Sequence, residues 1–589
     1  MLIGLGGTNY PLDESSDKEV IALPILDVKL SRIQKLLGIK VSLKELDEIL
    51  FRYGMELDSY EVLPDGDYWL KIEITPDRPD MLSLWGLVRA LKKYMGKNVG
   101  LEHYEVKGST YRIIVDESVK SIRPYIASVV VKGVKLTEED LEDLIYAQEK
   151  LHDTFCRGRK KASIGFYPFR KISWPLHYYA EDPEKIRFTP LDFDEELNAY
   201  EILEKHPTGE KYAHILRPYK KYPVFTDDEG HILSLPPIIN SEDYGKITIE
   251  DSDILIETTG MHKPTVELVI NILSAIMKDL GGTLFSVKIE YPNHHEYSPY
   301  MSNKKWKLKK KYVEEMLGVH LSVSEITKLL NMMGLDGKEI DSNTLEVLVP
   351  PYRADILHPI DIVDDIARAI GFDNFEPELT PIFTTSGILE RTEVIDYVRE
   401  LMVGLGYNEA FTFALTSFED QFDKMRLERK EAVIISGAKE VQINTVRVWL
   451  IPELLKALTY NKNRKYPIKL FEVSDVVILD KNVDTGARNE THLAAISAHM
   501  DANFTEIRSV AEYILRNLGF REIEIRRINH PSFIEGRVIA IYVGNKRIGV
   551  LGELHPEVIL NWGLSIPVAA MEISLEELMG WSYKPVEFA

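Results

Sequence analysis

LLGIKVSLKELDEILFRYGM, residues Leu36 to Met55, returns as MLGVHLSVSEITKLLNMMGL, residues Met316 to Leu335, without a gap and at an offset of 280. Leu37 meets Leu317, Gly38 meets Gly318, Ser42 meets Ser322, Glu45 meets Glu325, Leu50 meets Leu330 and Gly54 meets Gly334. In both copies a Ser is followed three residues later by a Glu. This is a capping box, in which each side chain satisfies the other's backbone N–H at a helix start. Leu46, Ile49 and Leu50, like Ile326, Leu329 and Leu330, keep helical spacing. Gly54 and Gly334 stand where such a helix would stop.

The likeness resumes after a β-like stretch, at an offset of 275, where TPDRPDML (Thr75 to Leu82) meets PPYRADIL (Pro350 to Leu357). Arg78 meets Arg353 and Asp80 meets Asp355, and each copy runs into a helix ending at Gly96 or Gly371. A helix–strand–helix module is therefore expected twice.

A chain of 589 residues is too long for one core, and roughly 3–5 domains are expected. Its 45% hydrophobic and 28% charged residues fit folded domains rather than disorder. The single cysteine, Cys156, excludes an internal disulfide framework and a Cys-rich zinc site, and fits a reducing compartment such as the cytoplasm. No apolar run is long enough to span a membrane, and Met1 to Val20 lacks the basic start and apolar stretch of a signal peptide. The net charge of −22 runs against a nucleic-acid binder acting alone, because such proteins carry a basic footprint. Any contact with a polyanion would be confined to local basic runs or shared with a partner chain.

One acidic motif has no counterpart in the first copy. In RADILHPIDIVDDIARAIG (Arg353 to Gly371), Asp361, Asp364 and Asp365 fall on one helical face, Ile362, Ile366, Ala369 and Ile370 lie roughly opposite, and Asp355 precedes them on the entering loop. Several carboxylates on one face suit a hard cation such as Mg²⁺. Spacing leaves a second reading open, that of a solvated acidic face favourable to the helix dipole, with Arg368 paired to Asp364. The first copy has Gly86, Arg89 and Ala90 at the matching positions, so the fold does not itself require the acids.

Arg-Ala-Asp followed by DIVDDIARAIGF resembles the module of phenylalanyl-tRNA synthetase β subunits, of the archaeal/eukaryotic type. TPDRPDMLSLWGLVRAL resembles the N-terminal module of that family, PPIINS (Pro236 to Ser241) with DILIETTG (Asp253 to Gly260) its middle editing domain, and TVRVWLIPELLKALTYNKNR, KLFEVSDVVI and GVLGELHPEVI its C-terminal domain. The order matches from about Ala22 onward. The resemblance implies an α+β multidomain fold: two related helix–strand–helix modules, a central α/β editing domain, and a C-terminal class II synthetase-like antiparallel sheet flanked by helices. The implied layout is a tail (1–20), the first module (21–99), the editing domain (100–297), a winged-helix-like second module with the acidic motif (298–378) and a catalytically inactive core domain (379–589). It further implies Mg²⁺ held by Asp355, Asp361, Asp364 and Asp365, ATP as substrate at a catalytic α subunit, an α2β2 assembly, and tRNA(Phe) as partner.

On the class II fold that the resemblance implies, activation of an amino acid by ATP normally uses an arginine in each of two signature motifs to clamp phosphates. The strand LFEVSDVV instead carries Glu472 and Asp475, and the late glycines Gly549 and Gly552 lead to Glu553 and His555. Phe411, Phe413 and Leu415 alternate as a half-buried strand would. Editing has a physical motive: a hydrophobic pocket rejects an added hydroxyl by only about 10²-fold, so Tyr needs a second, hydrolytic site. The resemblance places that site at Asn240, Ser241, Glu257 and Thr258, with Glu257 recognising the tyrosine hydroxyl or orienting water. Two basic runs, Cys156–Lys161 and Lys304–Lys311, suit phosphate contact or a solvated face. Cys156 is expected to be structural, and His358 and His555, each before proline, to be turn residues. A stand-alone tRNA-editing hydrolase and a non-enzymatic nucleic-acid-binding scaffold are the competing functions.

Overall fold

A computed structural model describes residues 24–581 apart from 381, 383 and 437–441, so the expected N-terminal tail lies outside the described residues. The chain divides after Glu378 into two compact units.

The duplicated segment folds twice into one design. Strand Ile25–Lys29 leads to helix Leu30–Leu37, helix Leu43–Tyr53, the hairpin Glu56–Val62 and Tyr68–Glu73, and the closing helix Leu84–Tyr94. The second copy runs Lys304–Lys309, Lys310–Leu317, Val323–Met332, Asp336–Asp341, Thr344–Val349 and Pro359–Ile370. In each, the first strand pairs antiparallel with the third, which pairs with the second. Both capping boxes form: Ser42 and Ser322 Oγ each accept from the N–H of the Glu three residues on at 3.2 Å, and the Glu carboxylates accept in return at 2.7 Å. Gly38 and Gly318 end the first helices with φ near +69°.

The module is larger than the sequence pattern indicated, because its opening strand and helix went unread. The basic run from Lys304 to Lys311 is in fact that strand and the helix start. Only Trp306 and Leu308 turn inward, and the exposed lysines around them masked the period-two pattern. Lysines on an edge strand also discourage pairing with another sheet.

The two modules pack against each other through reciprocal contacts. Arg368, from the second closing helix, lies on Gly54 of the first module and donates to the Tyr53 carbonyl at 3.2 Å. Its counterpart Lys93, from the first closing helix, lies on Gly334 of the second. A Cβ on Gly54 would stand 2.6 Å from Arg368 Nη1, and one on Gly334 would stand 2.9 Å from Lys93 Cδ. Tyr94 adds a hydrogen bond to the Arg368 carbonyl. Such pairing of equivalent surfaces is the geometry of a two-fold dimer, here within one chain.

Between the modules lies an eleven-stranded sheet. Its strand Ile254–Gly260 is buried along its whole length and pairs antiparallel with Tyr125–Lys132 and Ala162–Pro168. One face packs on helix Lys263–Asp279, in a core continuous with the first module. The other face gathers Tyr167, Tyr178, Phe225, Leu233 and Leu255.

The second unit centres on a seven-stranded sheet, antiparallel apart from the short edge strand Asn408–Glu409. Helices Glu390–Gly404 and Phe504–Asn517 cover one face and Ile451–Asn461 the other. Phe411 and Phe413 are not strand residues. They stand 91% and 87% exposed, and only Leu415–Thr416 forms a short pairing. Their alternation marks an apolar surface that the described residues leave uncovered. Among the described residues no helix is long and apolar enough to cross a membrane.

Gly54 combines φ of +95° with contact to Arg368. Gly54→Ala is expected to lower unfolding free energy by about 1–3 kcal/mol, read as a lower denaturant midpoint at unchanged slope.

Candidate functional site

The acidic motif is built on helix Pro359–Ile370. His358 is its N-cap, its Nδ1 accepting from the Ile360 N–H, and Asp361 completes a capping box by accepting from the N–H of Leu357 and His358 at 2.7 Å each. Asp364 is exposed and paired with Arg368 Nε at 2.9 Å. Asp365 departs from the expected common face. It is buried, 4% exposed, and takes an Arg353 Nη2–H at 2.8 Å. Asp355 binds the same guanidinium through both oxygens, at 2.7 and 2.5 Å. Burial would push the Asp355 carboxyl up, but the Arg353 charge and hydrogen bonds outweigh it and bring it down to about 2. The structure thus brings Asp355 and Asp365 together, around Arg353, and leaves Asp361 and Asp364 apart from them. Among the described residues no three His, Cys, Asp or Glu side chains are disposed to hold a metal ion.

In the middle sheet, Glu257 and Thr258 are neighbours on one strand and so face opposite ways. Thr258 Oγ1 donates to the Val266 carbonyl of the helix at 3.1 Å. Glu257 enters the aromatic core on the other side. Tyr167 lies 3.1 Å from Glu257 Oε1 and 2.8 Å from Ser234 Oγ, donating to the first and accepting from the second. Gly165, directly across the ladder from Glu257, makes room for this, since a Cβ there would stand 2.4 Å from the phenol oxygen. Glu257 Oε2 is buried with no hydrogen-bond partner. Burial pushes the carboxyl up to about 7, against the opposing influence of Tyr167 and the Arg123 charge. Arg123 is itself fully enclosed and donates to Thr259, Ser163 and the Arg159 carbonyl.

Asn240 donates to the Phe166 and Gly245 carbonyls at 3.2 Å each, and Ser241 Oγ caps a short helix by accepting from the Tyr244 N–H. The four expected editing residues therefore do not form one constellation, and Tyr167, Ser234 and Arg123 join Glu257 instead. No sequence spacing links those three, because strand pairing brings Tyr167 to Glu257 and tertiary packing brings Ser234 and Arg123. The basic run at Cys156–Lys161 divides similarly: Arg159 is buried, holding the Pro237 and Ile238 carbonyls and Glu149, while Arg157 and Lys160 are exposed. Burial pushes the Cys156 thiol up to about 12, which suits a structural residue.

In the second unit the acids read from the sequence, Glu472, Asp475 and Glu553, are all paired, Glu553 accepting from the Phe504 N–H at 2.9 Å and from Arg537 at 2.5 Å, and so is Glu572, which the sequence pattern did not single out. Glu472, 1% exposed, accepts from Arg447 at 2.8 Å and from Thr412 at 2.7 Å. Asp475 accepts from Arg391 and Thr491 at 3.1 and 2.7 Å. Glu572 accepts from the Leu450 and Ile451 N–H groups at the start of a helix and binds His492. Gly549 and Gly552 sit where neighbouring strand carbonyls approach to 2.4 and 2.6 Å of a would-be Cβ, so they serve sheet closure. His555 caps helix Pro556–Asn561 by accepting from the Glu557 N–H.

Residues 23–97 match the Phe-tRNA synthetase beta subunit B1 domain, 306–372 the tRNA synthetase B5 domain, and 377–575 the phenylalanyl tRNA synthetase beta chain CLM domain. The phenylalanine–tRNA ligase beta subunit of Thermococcus sibiricus is 35% identical over 564 residues, covering 95% of this chain and 100% of the relative. The chain belongs to the phenylalanine–tRNA ligase β-subunit family. The beta subunit of Methanocella arvoryzae is 36% identical, covering 92% of this chain and 98% of that one. Among solved structures, an N-terminal fragment of the Pyrococcus horikoshii phenylalanyl-tRNA synthetase β subunit is similar at 34% identity and TM-score 0.57, covering 59% of this chain and 99% of the fragment. The family matches at residues 23–97 and 306–372 coincide with the two reciprocal modules, whose pairing places the acidic motif helix against the first module.

Glu257 titrates higher in the fold than in an unfolded chain, so the native state holds the extra proton between about pH 4.5 and 7, and the contribution of this group to stability falls as pH rises through that window, opposed by His152 and His530, which burial lowers to about 4. The Glu257 contribution changes by about 3 kcal/mol and is constant above the window. Glu257→Gln is expected to remove this contribution, read as a wild-type-minus-variant difference in urea titrations run from pH 4.5 to 8.

Proposed function

We propose that this chain is the non-catalytic β subunit of a cytoplasmic phenylalanine–tRNA ligase of the archaeal/eukaryotic type. With a catalytic α subunit, as α2β2, it attaches phenylalanine to tRNA(Phe) using ATP and Mg²⁺, and its middle domain hydrolyses mischarged Tyr-tRNA. The reading assigns 21–99 and 298–378 to paired structural modules, 100–297 to editing, and 379–589 to a class II synthetase-like core without activation chemistry.

The observation that carries it is the Glu472–Arg447 pair. A buried arginine that could clamp phosphate is already neutralised, and a triphosphate would meet Glu472 and Asp475 instead. Phe411 and Phe413, exposed in this chain, supply apolar surface for the α subunit. A partner that shares the phosphate contacts also reconciles tRNA binding with a charge of −22.

For Mg²⁺ the four acids divide. Asp361 and Asp364 each leave Oδ1 clear of hydrogen bonds among the described residues, and these two would contribute hard oxygen donors to an ion shared with the partner. Such an ion would neutralise phosphate charge. Asp355 and Asp365 do not fit, because both are spent on Arg353.

For editing, the Tyr167 phenol already makes on Glu257 the contact that a tyrosyl hydroxyl would make, and Oε2 is free to accept a second. Asn240 and Ser241 shape the neighbouring turn, and Thr258 fixes the strand to its helix.

Charging of tRNA with phenylalanine is expected only after co-purification with the α partner; charging by this chain alone would overturn the inactive-core reading. Phe411→Ser with Phe413→Ser is expected to reduce recovery of the complex while leaving the melting temperature of the isolated chain unchanged. Glu257→Ala should slow Tyr-tRNA hydrolysis at least about tenfold at unchanged phenylalanine charging, and equal hydrolysis would remove Glu257 from the editing site.

A further inference from the structure

Arg353 is 1% exposed, and its donors have few acceptors. Nε and Nη2 reach three carboxylate oxygens, two on Asp355 and one on Asp365, at 2.5 to 2.8 Å, and Nη1 has only the Met333 carbonyl at 3.5 Å. Arg78, its counterpart in the first module, is 4% exposed and doubly bonded to Asp80 at 2.9 Å. The two units meet across the module interface: Arg78 Nε lies 4.0 Å from Asp355 Oδ1. The remaining space, lined by Arg78, Asp80, Tyr352 and Arg353, is a cavity of about 10 Å³, room for one water at most. Two like charges buried this close require acids between them, since an uncompensated guanidinium out of water is strongly unfavourable.

We propose that Asp355 and Asp365 are positioning residues for Arg353 and not magnesium ligands. The two Arg-x-Asp units form one buried ionic clasp across the module interface, which ties the loop ahead of helix Pro359–Ile370 to the first module and leaves Asp361 and Asp364 held by their own contacts with the Leu357 and His358 N–H groups and Arg368. Arg353 already bridges Asp355 and Asp365, so a metal taking both carboxylates would strip a buried guanidinium of the only charged partners it has among the described residues. The recurrence of Arg-x-Asp in the first copy, which lacks the helix acids, has the same origin. Asp80 does for Arg78 what Asp355 does for Arg353.

The test compares Asp80→Asn, Asp355→Asn and Asp365→Asn in the complex with the α partner. Thermal unfolding is followed in Mg²⁺ and in EDTA, and charging is measured against Mg²⁺ concentration. All three variants are expected to melt several degrees lower, equally in Mg²⁺ and EDTA, with the Mg²⁺ needed for half-maximal charging within about twofold of wild type. A rise of about tenfold in that requirement for Asp355→Asn or Asp365→Asn, but not for Asp80→Asn, would overturn the proposal. If a single variant fails to fold, the triple variant Arg353→Met, Asp355→Asn, Asp365→Asn decides. With no charge left unpaired it should melt above the single variants, and a triple no more stable than they are would equally overturn it. The thermal comparison does not depend on the assigned reaction, so a complex that fails to charge tRNA would sink the proposed function without touching this result.

Discussion

Two buried guanidiniums, Arg78 and Arg353, hold the modules of the first unit in register. Each must be matched by carboxylates: one comes from the same short loop that supplies the arginine, and Arg353 takes a second, Asp365, from its closing helix. That local pairing creates a rigid, neutralised turn ahead of each closing helix. The helices then exchange their last turns, Arg368 onto Gly54 and Lys93 onto Gly334. The contacts work only if both glycines lack a side chain and both helices end at the same height. The ionic centre and the glycine contacts therefore constrain one another, and duplicated sequence becomes a self-complementary interface.

The middle sheet shows a different use of burial. Its central strand is covered on both faces, so alternate residues enter two separate cores. Glu257 enters the aromatic one, where one oxygen has a phenol and the other has nothing. A carboxyl left half-satisfied in such surroundings is costly to keep ionised, and its proton affinity rises accordingly.

In the second unit the sheet is lined with acids, and each finds its donor inside the fold: Arg447, Arg391, His492 and the start of a helix. The polar interior is closed on itself. The unsatisfied surface is apolar and points outward at Phe411 and Phe413.

The sequence by itself determined the elements that rest on local chemistry. The capping boxes, the glycine stops and the duplication were all legible, because each depends on residues within one turn or one loop of each other. So was the absence of phosphate-clamping arginines on the LFEVSDVV strand. The opening strand of each module was missed, in the second because lysines hid its alternation. The roles of the acids were decided only by the tertiary structure. Helical periodicity put Asp364 and Asp365 together, yet one faces solvent and the other a buried arginine from the preceding loop. Tyr167 likewise reaches Glu257 through pairing between distant strands, and Ser234 joins them only by packing, through its hydrogen bond with Tyr167. Burial and electrostatic partnership are properties of the packed whole, and a side chain's chemistry follows them more closely than it follows its neighbours along the chain.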